Sequence, residues 1–231
     1  MAIKFYGLGD HGGGFLGWRI TKYIGGRYYQ KYLHFKPPST TIPADVWQNY
    51  QSKKAEYYEA RFAYRSAVLK YLRFVNTDSP HTKKERRVGF HGISIVIYKG
   101  NRCHNYTCAI SFNLRKEQKR FNISETKTLS AAWNDAVLHW GAHYGIRKKD
   151  IESKLASPPN PEAFKVLRRQ MNAKEGHDIP ASVLHWVFAE KRQDIAIKKT
   201  DRLTTKTATV SHPDIYAWFS DNAPSGNPSK T

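Results

Sequence analysis

Two runs of sequence decide the fold: GISIVIYKG at residues 92–100 and NYTCAISFNLR at residues 105–115. Both runs alternate apolar and polar side chains, which is typical of β-strands with one buried face. KRFNIS at 119–124 continues the alternation and predicts a third, shorter strand after a turn. LSAAWNDAVLHWGAHYGI at 129–146 then predicts a helix, with Gly145 as its C-terminal stop. Together these elements predict a small antiparallel sheet that is covered by one helix.

The alternation also predicts which side chains share a face of this sheet. The apolar face, under the helix, holds Ile93, Ile95, Ile97, Tyr106, Cys108, Ile110, Phe112, Leu114, Phe121 and Ile123. The opposite face holds Ser94, Tyr98, Thr107, Ala109, Ser111, Asn113, Arg115, Arg120 and Asn122. A small sheet can enter the DNA major groove, where arginine pairs with guanine and asparagine with adenine. Any half-exposed sheet has one polar face, so the lack of acidic residues on this face is what favours DNA.

A similar order of elements stands earlier in the chain. GFLGWRITKY at 14–23 and RYYQKYLHFK at 27–36 flank a Gly-Gly pair, which predicts a hairpin. A helix is predicted over 44–73 from an apolar and aromatic stripe at near-helical spacing. The stripe consists of Trp47, Tyr50, Tyr57, Phe62, Leu69 and Leu72. A hairpin followed by a helix therefore occurs twice, which predicts a divergent duplication.

The C-terminal third has a different character. Two segments that begin with proline, 161–171 and 180–192, predict helices, and TTKTATV at 204–210 predicts a strand. The sequence therefore predicts an α+β fold of small antiparallel sheets, each backed by a helix, followed by a mainly helical C-terminal region. The predicted divisions are a hairpin and helix at 1–75, a basic linker at 76–90, a DNA-binding domain at 91–150 and the helical region with a flexible tail at 151–231.

The charge of the chain indicates the kind of partner. Lys and Arg number 38 against 19 Asp and Glu, a net charge of +19 in 231 residues. The excess is +10 in residues 1–90, +6 in 91–150 and only +3 in 151–231. Cations mixed with 14 tyrosines and 6 tryptophans are typical of a surface that contacts phosphates. The sequence shows no membrane-length apolar run, no secretory leader and only two cysteines, which predicts a cytoplasmic protein without a membrane partner.

Residues 92–146 resemble the AP2/integrase-type DNA-binding domain, a three-stranded antiparallel sheet backed by one helix. The resemblance is carried by Gly92-Ile93-Ser94, YTCAISF, KRFNIS and SAAWNDAVLHWGAHYG. Phage and mobile-element proteins carry such modules, and homing endonucleases use them for targeting. The resemblance implies a degenerate second copy at 15–73, with Arg19, Thr21, Tyr23 and Lys31 in analogous places.

The predicted DNA contacts fall into three groups. Those of the sheet face and its edge are Ser94, Tyr98, Thr107, Ser111, Asn113, Arg115, Lys119, Arg120 and Asn122. Those of the first unit are Arg19, Thr21, Arg27 and Lys31. Those of the linker are Lys83, Lys84, Arg86 and Arg87, which are expected to contact phosphates and therefore to be blind to sequence.

No catalytic residue, metal site or cofactor is predicted. Gly7-x-Gly9-x-x-Gly12 matches a dinucleotide fingerprint as a string, but that fingerprint needs a helix directly afterwards and a strand-like run follows. His139 and His143 have a spacing that suits zinc, but no third ligand is apparent, and packing or phosphate contact is favoured. Carboxylates are too sparse in the basic region for a two-metal nuclease.

These patterns predict a non-enzymatic, sequence-specific double-stranded DNA-binding protein, a transcriptional repressor of phage or mobile-element type. The apolar aromatic residues of the C-terminal region predict a homodimer through that region. Two alternatives stay open. One is a homing-endonuclease-like or recombination protein whose C-terminal third holds an unrecognised catalytic site. The other is an RNA-binding protein, since charge does not separate RNA from DNA.

Overall fold

The computed structural model describes residues 2–100, 105–113 and 118–209 and shows the predicted α+β fold. Two three-stranded antiparallel sheets are each followed by a helix, and further helices form the C-terminal region. The chain divides into two compact units, Met1–Pro80 with Gly89–His91 and His81–Val88 with Gly92–Thr231. Most of the predicted linker therefore belongs to the second unit, and the regions predicted as 91–150 and 151–231 share that unit.

The sheet of the first unit has the order β1 (Ala2–Tyr6), β2 (Gly17–Ile24) and β3 (Arg27–His34). β2 and β3 form the predicted hairpin, whose turn uses Gly25 and Gly26 at φ values of 58° and 86°. Glycine adopts such values without a steric penalty. β1 is not predicted from the sequence, because a run of five residues before a glycine-rich loop is too short to show a clear alternation. β2, a strand, follows that loop, so the dinucleotide fingerprint lacks its helix.

The long helix α1 spans Ala44–Asn76, close to the predicted 44–73. The predicted buried stripe is wrong in part, since Tyr50, Tyr57 and Leu72 are exposed. The small side chain of Ala55 lets a different face of α1 approach the sheet, while the tyrosines on the other side keep their hydroxyl groups near water. The core between α1 and the first sheet comprises Ile20, Ile24, Leu33, Ala55 and Phe62, with Ile3, Trp18, Tyr29, Tyr58 and Leu69 partly buried against it.

The sheet of the second unit has the order β4 (Ile93–Lys99), β5 (Tyr106–Asn113) and β6 (Gln118–Asn122), as predicted. The register pairs Ile95 with Ile110 and Ile110 with Phe121, so the apolar side chains meet on one face. The helix α2 (Leu129–Tyr144) covers that face. Its two tryptophans, Trp133 and Trp140, are buried.

Both ends of α2 have the capping groups that their residue types predict. The side chain of Thr128 accepts a hydrogen bond of 3.2 Å from the backbone N–H of Ala131. Gly145 ends the helix in the left-handed conformation, at φ 60° and ψ 41°, which confirms the predicted stop. The helix is therefore fixed in length by local sequence as well as by packing.

The rest of the second unit is helical. It comprises α3 (Lys148–Leu155), α4 (Glu162–Lys174), two 3-10 turns (Ala181–Leu184 and Trp186–Phe188) and α5 (Ala189–Thr209). The strand predicted at 204–210 is wrong over its described residues, because α5 continues to Thr209 and the weak strand preference of threonine yields to it. Residues 210–231, with the predicted tail, lie outside the described residues. No helix in the described part of the chain is long and apolar enough to cross a membrane.

Candidate nucleic-acid interface

The face of the second sheet that points away from α2, here the second-sheet outer face, gathers the predicted polar side chains. The strand pairs Ser94–Ser111, Tyr98–Thr107, Ser111–Arg120 and Asn113–Gln118 place them side by side. Val96 and Ala109 are the apolar members of the face, and its described residues include no Asp or Glu. These residues therefore offer hydrogen-bonding groups and one cation, with no negative charge that would repel a phosphate.

Asn113 is the centre of a polar network at one end of this face. Its amide nitrogen donates to Ser94 Oγ at 2.9 Å, and its Oδ1 accepts from Ser111 Oγ at 2.9 Å and from Gln118 Nε2 at 3.1 Å. These bonds fix the orientation of the amide, so little conformational freedom is left to lose on binding. Because Oδ1 already accepts two bonds, Gln118 has to move before Asn113 can read an adenine.

Arg120 lies beside this network in an arrangement suited to contact. Its guanidinium carbon is 4.2 Å from the centre of the Tyr98 ring, and one of its NH2 groups donates to Gln118 Oε1 at 2.7 Å. The Tyr98 hydroxyl donates in turn to Asn122 Oδ1 at 2.8 Å, across the middle strand. The small, buried Ala109 on that strand leaves room for the tyrosine to span it. Stacking on an aromatic ring holds a guanidinium plane in place while its N–H edge stays available.

Several predicted contacts of this sheet need correction. Ser94 and Ser111 are only 3% and 0% exposed, because longer neighbours on the same face cover them, so they support Asn113 and do not contact a partner themselves. Lys119 is on the opposite face, where it pairs with Phe112 and lies over the Phe121 ring. Thr107 is half-buried on the outer face. Arg115 lies outside the described residues.

The face of the first sheet that points away from α1, here the first-sheet outer face, is rich in tyrosine. Arg19 is at its centre and donates to the Tyr6 hydroxyl at 3.2 Å and to the Tyr28 hydroxyl at 3.4 Å. The hydrogen bond from Arg19, with the nearby charge of Lys4, lowers the pKa of Tyr6. The members of the face, set by the strand register, are Lys4, Tyr6, Arg19, Thr21, Tyr23, Tyr28, Gln30, Tyr32 and His34.

Two predicted contacts of the first unit do not belong to that face. Arg27 pairs with Ile24 and Lys31 pairs with Ile20, so both side chains start on the side of the sheet that α1 covers. Lys31 extends along the helix, with Nζ 5.7 Å from the centre of the Tyr58 ring. The expectation that Arg27 and Lys31 share a contact surface with Arg19 and Thr21 is therefore wrong, because alternation sends them to the other face.

The cations predicted as a linker are partly neutralised within the second unit. Lys83 forms an ion pair with Glu175, and Arg86 lies 3.5 Å from the same carboxylate. The hydrogen bond from Lys83, with the charges of Lys83 and Arg86, holds the pKa of Glu175 below its usual range, although partial burial acts in the opposite direction. Arg87 donates to the backbone oxygen of Thr82 at 3.0 Å. Lys84 is exposed, so Lys84 and Arg87 are the members of this group that keep an uncompensated charge at the surface.

Several polar members of the two outer faces are not among the residues predicted from the sequence: Lys4, Tyr6, Tyr28, Gln30, Tyr32 and His34 of the first sheet and Gln118 of the second. Alternation of side chains along RYYQKYLH at 27–34 could have revealed two of them. The same rule that assigns the faces of the second sheet places Tyr28 and Tyr32 on the face of Arg19. Tyr6 belongs to the strand that the sequence does not reveal. Gln118 is assigned to a turn, whereas it is the first residue of β6.

Metal and redox chemistry find little support in the described residues. No three His, Cys, Asp or Glu side chains within them are grouped so as to hold a metal ion. His139 and His143 pack against the Phe112 ring, with ring centres 4.9 and 5.3 Å away, as the packing interpretation predicts. Burial raises the pKa of Cys108 to about 12, so this thiol is a core group. Comparisons with protein-family models, curated proteins and solved structures found no match.

Proposed function

We propose that the protein binds double-stranded DNA in a sequence-specific manner, with the second-sheet outer face in the major groove. The observation that carries the proposal is the Arg120 guanidinium, stacked on Tyr98 and hydrogen-bonded to Gln118 on a face without acidic residues. A major groove about 12 Å wide admits a two-stranded ribbon, and antiparallel strands lie about 4.8 Å apart. β5 and β6, which carry the polar network, are thus narrow enough to enter it together.

The side chains of this face have the chemistry that base edges require. Arginine pairs with the O6 and N7 atoms of guanine through two parallel N–H groups, and Arg120, exposed and held against the Tyr98 ring, can supply such a pair. Asn122 accepts from Tyr98 through Oδ1 and keeps its amide NH2 group for an acceptor on a base. Asn113 joins them when Gln118 moves to a base or phosphate. Arg120 is accordingly the main specificity residue of the proposal.

The charge of the chain provides the part of the affinity that does not depend on sequence. Residues 1–150 hold +16 of the net +19, which favours the phosphate backbone through counterion release. A protein that binds DNA without a catalytic group acts by occupying its DNA site. The proposed role is therefore that of a non-enzymatic transcriptional repressor in the cytoplasm. The resemblance of residues 92–146 to the AP2/integrase-type module, and with it the phage or mobile-element origin, is part of the same proposal.

The test compares two neighbouring cations of β6 that lie on opposite faces. A preferred site is first selected from random duplexes, and affinities are then measured on that site and on random DNA. Arg120→Ala should weaken the binding free energy by about 1–3 kcal/mol on the preferred site and by much less on random DNA. Lys119→Ala, which removes the same charge from the adjacent residue, should weaken both duplexes equally. The ratio of affinity on the preferred site to affinity on random DNA should therefore fall only in Arg120→Ala. Equal ratios for the two variants would contradict the assignment of Arg120 to the DNA-reading face.

Salt dependence tests the phosphate part separately. Because many cations contribute, the logarithm of the affinity for random duplex should fall steeply and linearly with the logarithm of salt concentration. Lys84→Ala should reduce that slope by about one, since it removes one exposed cation. Affinity that does not change with salt would contradict phosphate binding.

A second candidate, single-stranded RNA, is favoured by the first-sheet outer face. Tyr23 and Tyr28 are paired across β2 and β3 and are 69% and 56% exposed, which is unusual for side chains of this size. Exposed aromatic rings on a sheet stack with unpaired bases. A single-stranded RNA that binds more tightly than any duplex, and loses that affinity in Tyr28→Ala, would favour this candidate over duplex DNA.

The proposal includes a homodimer through the C-terminal region, and α5 supports it. Every described side chain of α5 from Lys191 to Arg202 is exposed, among them Ile195 and Ile197. Helices depend on tertiary packing for most of their stability, so a second copy of α5 is the natural partner. Ile195→Glu should shift the protein to monomers in light scattering, while Gln193→Glu, which adds the same charge on the same helix, should not. A wild-type protein that is monomeric both free and on DNA would refute the dimer.

A further inference from the structure

A cleft in the helical part of the second unit collects four cations, of which the three arginines have no carboxylate partner among the described residues. Its volume is 430 Å³, within the range of small-molecule sites. Lys165, Arg168 and Arg169 enter it from one face of α4, and Arg192 from the first turns of α5. The 3-10 turns contribute Ser182, Leu184 and Phe188 to the wall. Within the part of the chain that the structure describes, no acidic residue lines the cleft.

The three arginines of this cleft lack the carboxylate partner that several other cations of the same unit have. Lys83, Lys127 and Arg147 each pair with an Asp or Glu. Within the cleft, Lys165 pairs with Glu162 at 3.0 Å, but no carboxylate of the described residues lies within 4 Å of the three guanidinium groups. Like charges held close together destabilise a site unless an anion binds there. The three arginines are thus a concentration of unbalanced charge in a region whose net charge is only +3.

Backbone carbonyl groups hold two of these arginines in place. Arg168 Nε donates to the oxygen of Ile179 at 2.6 Å, and an NH2 group of Arg192 donates to the oxygen of His185 at 2.9 Å. A carbonyl oxygen orients a guanidinium without cancelling its charge. Arg169 is exposed, with no hydrogen bond or ion pair recorded within the described residues. The cleft therefore combines two positioned guanidinium groups with a third that can move onto a ligand.

We propose that this cleft binds the phosphate group of a small phosphorylated ligand. Guanidinium groups match the geometry of phosphate oxygens through paired N–H donors, and three of them suit a multiply charged phosphate. Leu184 and Phe188 offer an apolar wall to the remainder of the ligand. The group that binds is a phosphate. The position of the cleft indicates that this phosphate belongs to a small molecule and not to the DNA backbone.

The cleft is on the helical side of the second sheet. Cys108, on the α2-facing side of β5, has its Sγ 3.5 Å from the backbone oxygen of Val183 in the 3-10 turn that borders the cleft. The second-sheet outer face is on the other side of the same strand. A duplex that occupies that face does not reach the cleft, so the two sites are independent and one proposal can fail without the other.

Calorimetric titration of the full-length protein with inorganic pyrophosphate tests the site. We expect one pyrophosphate per chain, and binding weakened about tenfold or more by Arg169→Ala and by Arg192→Ala, because each removes a charge-assisted pair. Arg169 makes no contact that the fold needs, so this variant should keep the wild-type circular dichroism. Lys149→Ala, which removes an exposed cation of α3 in the same unit, should change the affinity less than twofold.

Three results would overturn the proposal. The first is the absence of saturable pyrophosphate binding at millimolar concentration. The second is an equal loss in Lys149→Ala, which would indicate general charge attraction. The third is that Arg169→Ala weakens the affinity for random duplex DNA by as large a factor as it weakens the affinity for pyrophosphate. That result would mean that the cleft binds phosphates of the DNA backbone. Arg120→Ala should leave pyrophosphate binding unchanged, which separates this test from that of DNA binding.

Discussion

Replacement of Gly17 by alanine should strongly destabilise the first unit and leave the stability of the second unchanged. Gly17 begins β2 at φ 145°, and an added Cβ would lie 2.0 Å from the backbone oxygen of Leu33 on β3. Ordinary carbon–oxygen contacts are about 3.3 Å or longer, so the two strands would have to separate by about 1.3 Å at this point. Because the obstacle is backbone, no side-chain rotation relieves it.

The expected loss follows from what this separation breaks. The left-handed backbone costs alanine about 1–2 kcal/mol, and withdrawal of the buried Leu33 from the core costs about 1.5–3 kcal/mol more. A loss of roughly 2.5–5 kcal/mol is a large part of the 4–12 kcal/mol that a unit of about 80 residues is expected to have. The first unit of Gly17→Ala should therefore open much more often than that of the wild type.

Amide hydrogen exchange distinguishes the two units in one experiment. Amides of β2 and β3 should lose protection in Gly17→Ala, while those of β5 keep it. Gly12→Ala is the matched control, because its Cβ would meet nothing within 4 Å and its φ lies outside the left-handed region. Wild-type protection of β2 in Gly17→Ala would refute the β2–β3 geometry, and equal loss of protection in β5 would refute the independence of the two units.

Three further predictions concern the second unit. Phe112→Ala should lower the free energy of unfolding by about 3–5 kcal/mol in denaturant titration, because its ring is completely buried against α2. Glu175→Gln should cost about 0.5–1 kcal/mol at pH 7. Since Lys83 depresses the folded pKa of Glu175, this stability is present above the ordinary value of 4.5 and disappears as the pH falls through the folded pKa. Variant and wild type should therefore converge in urea titrations at acidic pH below that pKa. In a Cys103→Ser background, Cys108 should react with iodoacetamide only after unfolding, because a pKa of about 12 leaves very little thiolate at pH 8.

The second unit shows how much local patterns can determine. Alternation in 106–113 is sufficient to predict β5 and both faces of its sheet, because one face is buried and a shift by one residue would invert it. Thr128 and Gly145 predict the ends of α2, since capping bonds are made within a few residues of sequence. The same alternation predicts that Arg120 and Asn122 share a face with Tyr98.

The features that sequence does not determine all depend on which surfaces meet. The spacing of Tyr50 and Tyr57 fits a helical stripe, but only the approach of Ala55 to the first sheet decides that these two tyrosines remain in solvent while Phe62 of the same stripe is buried. The stacking of Arg120 on Tyr98 joins β6 to β4 across a third strand, and no local rule predicts such a contact.

The sequence by itself determined the α+β class, the start of α1, the limits of α2 and the basic character of the chain, because these follow from periodicity, capping and composition. Tertiary structure alone decided that Ser111 is buried and that Lys31 extends along α1 toward Tyr58. It alone also assembled the arginine cleft from α4 and α5, whose cations are more than twenty residues apart. Charges distant in sequence become a site only when packing brings their helices together, since electrostatic interaction depends on distance in space.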